Sequence, residues 1–108
     1  MNKIEIKILQ KFIECVKELS NIDILRFIGV QSLEKQMNEA QYMKAKLLVD
    51  IHWEVSGIYK NQEEIKDFYL TKFSMTDNLN LIDLIKDNQV FKVKELCLFL
   101  KSEGTGKR

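Results

Sequence analysis

The stretch from Asn38 to Phe73 limits the fold more than any other part of the chain. It reads NEAQYMKAKLLVDIHWEVSG and then IYKNQEEIKDFYLTKF. Met43, Leu47, Leu48, Ile51 and Val55 recur at helical spacing and form one apolar stripe. Tyr42, Val49 and Trp53 form a second. A helix apolar over so much of its circumference sits at the centre of a bundle or packs on a second chain. The pattern predicts a helix over 39–55, capped by Asn38 or Ser32 and stopped at Ser56-Gly57, with Gly57 in the left-handed conformation. Asn61 then opens a second helix. Glu64 completes a capping-box pattern, and Glu63 adds favourable charge at the positive helix end. Ile65, Phe68, Tyr69 and Phe73 point inward.

The remaining segments fit the same architecture. There are no prolines and four glycines in 108 residues. That composition favours long helices over a turn-rich β-sandwich. The hydrophobic fraction of 45% excludes a disordered chain. Residues 3–8 alternate like a strand, yet Ile8, Phe12, Ile13, Val16 and Leu19 follow a helical period, so the spacing predicts a helix through Leu19. Ile22 to Val30 suits a short helix or a buried strand ending at Gly29, with Asn21 as its cap. Ser32 begins a short polar helical turn, SLEKQ. Asn80 and Asp83 resemble a cap opening a helix over 81–86, which Asp87-Asn88 interrupts. A last helix over 90–101 turns Val93, Leu96, Cys97 and Leu100 inward. The fold class is therefore mainly α: one domain, 1–101, of about five helices around the 39–55 helix, with residues 102–108 as a disordered tail. A small N-terminal strand pair would make it α+β instead.

A net charge of +1 gives no general attraction to nucleic acid. The apolar runs are too short and too often broken by charge to cross a membrane, and the first residues lack a secretory apolar core. A cytoplasmic location is expected. Cys15 and Cys97 stand in apolar helical settings, which suits buried free thiols.

Chemical motifs are sparse. His52 is the one histidine, and its neighbours Leu48, Trp53 and Val55 favour a structural role over general-base catalysis. One histidine and two distant cysteines give no zinc spacing, and no metal or cofactor is expected. Asp50 and Glu54 share a helix face, the arrangement by which carboxylates hold Mg²⁺ in nucleases; Lys46, one turn earlier, favours an ion-pair row instead. Gly104-Thr105-Gly106-Lys107 lacks the earlier glycine and preceding strand of a phosphate-binding loop. Lys35, Lys44, Lys46 and Lys60 surround the central helix with Tyr42, Trp53 and Tyr59 interleaved. Cations beside stacking platforms are how proteins hold single-stranded nucleic acid. Tyr42, Val49 and Trp53 alternatively form an apolar anchor for another protein.

One further pattern stands in the 38–73 stretch. A polar residue and a glutamine open a helix, a glycine closes it, and a capped helix follows with a Glu-x-Lys centre and a terminal phenylalanine. Asn38, Gln41, Gly57, Glu64, Lys66 and Phe73 carry it. Together with SLEKQ, this order resembles the NinB family of phage recombination accessory proteins. The resemblance implies a non-enzymatic role in binding DNA, and it carries over no catalytic residue.

Two functions are thus expected. The first is a phage or prophage accessory protein that binds single-stranded DNA in recombination or replication. Lys35, Lys44, Lys46 and Lys60 would contact phosphates, and Tyr42 or Trp53 would stack. The alternative is a helical module that binds a host or phage protein through Tyr42, Val49 and Trp53, as a homo-oligomer.

Overall fold

A computed structural model describes the backbone of residues 1–106 and the side chains of residues 1–103. The chain forms α1 (Lys3–Lys17), α2 (Ile24–Ile28), α3 (Glu39–Ile58), α4 (Gln62–Leu70), a 3₁₀ turn (Ser74–Thr76), α5 (Leu81–Lys86) and α6 (Val90–Gly106). No strand occurs among the described residues, where β pairing is confined to an isolated bridge between Phe73 and Leu79. The fold is a mainly α bundle, and the alternating N-terminal segment is helix.

Local chemistry sets where these helices begin. Asn2, Asn38, Asn61 and Asn80 each accept a hydrogen bond from the backbone N–H three residues on, every one at 2.8 Å. In the Asn2, Asn38 and Asn80 caps, the side chain of Glu5, Gln41 or Asp83 returns a bond to the cap backbone, closing a reciprocal capping box. The Asn2 box and the helical spacing of buried Leu9, Phe12 and Val16 together favour helix over strand for residues 3–8. At Asn61 the Glu64 carboxylate accepts from the cap's side-chain amide instead, at 2.9 Å. Asp23, rather than Asn21, caps α2.

Helix ends depart more from expectation. Gly57 does not stop α3; the helix continues to Ile58, and Tyr59 leaves it in extended conformation. The left-handed glycine is Gly29, at φ 93°, where the N–H groups of Gly29 and Val30 both bond the Leu25 carbonyl. The Gln41 side-chain amide donates to the Gly29 carbonyl at 2.7 Å, fixing this turn to the start of α3. Asn88, at φ 54°, closes α5 with a Schellman pair: its N–H bonds Ile85, and that of Gln89 bonds Leu84. The SLEKQ segment is a non-helical turn in which Leu33 is buried. The last helix passes Lys101 and runs to Gly106, across part of the segment expected to fray; residues 107–108, with Lys107 of the Gly104–Lys107 motif, lie outside the described residues.

Helix α3 lies between α1 and α6, which are its main packing partners. Its buried face is Ala45, Leu48, Val49, Ile51, His52 and Val55. Leu9, Phe12 and Val16 of α1 and Val93, Leu96 and Leu100 of α6 belong to the same core. Cys15 and Cys97 are buried free thiols, and burial pushes both thiol pKa values up. Among the described residues, no helix is long and apolar enough to cross a membrane.

Candidate functional site

The residues expected to act together divide between two faces of α3 and the loops at its ends. Nine residues separate Lys44 from Trp53, and at about 100° per residue this places them on opposite faces of α3. A single strand could not bind the first and stack on the second through one short contact. Val49, expected in an interface, is 3% exposed and belongs to the core. Lys35 is in the loop before α3, where its ammonium donates to the Gln31 side chain at 3.1 Å. Lys60 lies beyond α3 and donates to the Gly57 carbonyl at 3.4 Å.

Lys46 is committed to its own protein. Its ammonium is 3.0 Å from Asp50 and 3.6 Å from Glu5, while Asp50 also holds Lys101 at 3.1 Å. The Tyr42 hydroxyl donates to the other side of this row, to Glu5 at 2.9 Å. Tyr42, Glu5, Lys46, Asp50 and Lys101 thus make a polar ladder across α1, α3 and α6. The Asn2 backbone N–H is the main cause of the lowered Glu5 pKa, with Tyr42 and Lys46 adding to it; the Asp50 hydrogen bond raises that of Lys46. The ladder uses the Asp50 carboxylate for pairing. No group of three or more His, Cys, Asp or Glu among the described residues is placed to hold a metal ion.

His52 is part of the core. Its Nδ1 is 2.6 Å from the Tyr69 hydroxyl oxygen, and the Phe12 ring meets both rings edge-on. Burial lowers the His52 pKa to about 4, with Lys11 adding to the effect, so the imidazole is neutral at neutral pH. Burial holds the Tyr69 phenol well above its ordinary pKa.

Two surfaces carry the candidates Trp53 and Lys44. The first is the outer face of α1, α3 and α6. Trp53 is 59% exposed there, beside Tyr42 and Lys46 on the helical wheel of α3. Phe91 and Leu98 of α6 are 71% and 56% exposed; being seven residues apart, they share one face. Ile4 of α1 and Met43 of α3 are also exposed. The expected apolar anchor therefore loses Val49 and keeps Trp53 and Tyr42. Phe91 and Leu98 were not singled out from the sequence; their i,i+7 spacing marks only a shared face of α6.

The second is a cleft of about 610 Å³ between α2, α3 and the α5–α6 turn. Arg26 of α2, Lys44 of α3 and Lys86 of α5 line it. The Lys44 ammonium donates to the Phe27 carbonyl at 3.2 Å and to the Asn88 side chain at 3.4 Å, and lies 5.3 Å from the centre of the Phe27 ring. Arg26 and Lys86 are too far apart in sequence for spacing to reveal their meeting. Compared with protein-family models, curated proteins and solved structures, the chain has no match.

Proposed function

We propose that this chain is a non-enzymatic protein-binding module whose contact surface is the outer face of α1, α3 and α6, and whose first partner is a second copy of itself. The observation that carries this reading is the 59% exposure of Trp53, a large amphipathic side chain of the type that anchors interfaces. Exposed Phe91 and Leu98 support it. So does the mixed charge of the surrounding ladder, since a face carrying both signs can pair with its own copy about a two-fold axis. Light scattering across a concentration series tests the reading. A dimer that Trp53→Ala converts to a monomer with an unchanged helical circular-dichroism spectrum is expected, its melting temperature no longer rising with concentration. A wild-type monomer throughout the series would reject it.

A phage-type DNA accessory role is the second reading. Lys44 favours it, because it stands in a cation-lined cleft and not in a carboxylate pair. Salt-sensitive binding of a single-stranded oligonucleotide that Lys44→Ala weakens is its expected signature. Affinity indifferent to both salt and Lys44 would exclude it.

A further inference from the structure

We infer that the cleft between α2, α3 and the α5–α6 turn is a binding site for a phosphomonoester. The inference is independent of the protein-binding face and requires no contact between copies of the chain.

Three cationic side chains from three separate helices line one cleft of about 610 Å³. Lys44 links its walls. The ammonium bonds Phe27, the residue next to Arg26, and Asn88, two residues from Lys86. It therefore bridges the two elements that bring in the other cations. Among the described residues, neither the Arg26 guanidinium nor the Lys86 ammonium has an ion-pair partner. The carboxylate on the rim, Asp23, spends one oxygen on the N-cap of α2, accepting from the Arg26 backbone N–H at 3.1 Å. With three cations and one carboxylate in its lining, the cleft carries a net positive charge that attracts a dianion.

The donor chemistry fits phosphate. An arginine offers a planar fork to two phosphate oxygens, and lysines supply point charges around it. Lys44 is held by two acceptors, leaving one of its three N–H bonds for a ligand. The Schellman bonds at Asn88 and Gln89 occupy carbonyls at the end of α5, which reduces the negative potential an anion would meet there. Ile22, Phe27 and Ile85 give the cleft apolar wall for the body of the ligand. A phosphomonoester can arrive on a free small molecule or at the 5′ end of a nucleic-acid strand, and both present the same dianionic group.

Amide chemical shifts of the whole chain, followed by NMR during titration, test the site. The probes are adenosine monophosphate, adenosine, and a short oligothymidylate with and without a 5′-phosphate. Saturable shifts at Arg26, Phe27 and Asn88 are expected with adenosine monophosphate and not with adenosine. Arg26→Gln and Lys86→Gln, at surface positions without ion-pair partners among the described residues, should each weaken binding about tenfold or more while leaving the spectrum of the free protein in place. Shifts with the 5′-phosphorylated strand alone would assign the phosphate to a nucleic-acid end; shifts with the monophosphate would assign it to a small molecule. Equal binding of both strands, equal binding of adenosine, absence of any saturable shift, or unchanged affinity in both variants would each overturn the inference.

Discussion

The Nδ1 atom of His52 and the hydroxyl oxygen of Tyr69 are 2.6 Å apart inside the core, with the Phe12 ring against both. Burial around this contact, with Lys11 adding to it, decides how the one histidine titrates. The folded pKa of about 4 lies below the ordinary 6.5 because burial penalises the imidazolium. At pH above 6.5 the ring is neutral whether folded or unfolded and contributes no pH dependence. As pH falls from 6.5 to about 4, the unfolded chain takes up a proton that the folded chain refuses. Stability is therefore lost across that window, by on the order of 2 to 3 kcal/mol once partial solvation is allowed for. Urea unfolding at pH 7 and pH 4.5 measures it. His52→Gln, which keeps a polar partner for Tyr69, should flatten the slope between those values.

The two glycines with a described environment should respond to alanine in opposite directions. Gly29 has φ 93°, so a β-carbon there is strained, and Gly29→Ala should cost about 1–2 kcal/mol. Gly57 is helical with nothing within 4 Å of an added β-carbon, so Gly57→Ala should stabilise by about 0.5–1 kcal/mol. Denaturant midpoints of the two variants give both signs. A destabilised Gly57→Ala would mean that α3 ends before Ile58.

Trp53 should fluoresce as a water-exposed indole in dilute protein and be readily quenched by acrylamide. If the outer face pairs, quenching should fall as concentration rises, in step with the mass from light scattering. Accessibility that stays constant while mass increases would place the interface elsewhere.

Lys46 should contribute little to stability and nothing to anion binding. Its own side chain is 44% exposed, and its largely buried partners Glu5 and Asp50 keep Tyr42 and Lys101 without it, so the pairing contributes about 1 kcal/mol or less and is partly screened by salt. Lys46→Met should therefore unfold within about 1 kcal/mol of wild type and bind oligonucleotide unchanged. A marked loss of DNA affinity would show that the lysine leaves the ladder to meet phosphate.

The parts of this fold that were legible in the sequence are the parts written within four residues of one another. The Asn38 and Asn80 caps and the inward face of α6 follow from local spacing and appear as expected. Two places carried competing local signals: the helix expected over residues 3–8 forms, whereas the stop expected at Gly57 does not. The alternation of residues 3–8 opposed an Asn2–Glu5 box and the helical spacing of Leu9, Phe12 and Val16, and the helix prevailed. Gly57 had the composition of a stop, but nothing downstream required a left-handed residue, so the helix passed over it. The candidate site was less legible. Helical phase alone separates Lys44 from Trp53, whereas the pairing of Lys46 with Glu5 depends on how α1 lies against α3. The meeting of Arg26, Lys44 and Lys86 depends on three helices packing at once. No spacing rule reaches across such distances.

The asparagine caps also bear on how this protein tolerates change. Four helices carry their own start signal inside a four-residue window, so each is indexed from its own first turn and not from its neighbours. Residues added to an intervening loop would lengthen the path between helices at a cost that grows only with the logarithm of loop length. They would not rotate a helix about its axis. The faces turned toward the core, toward the cleft and toward solvent are in this sense addressed separately from the connections, leaving those connections open to divergence while the surfaces persist.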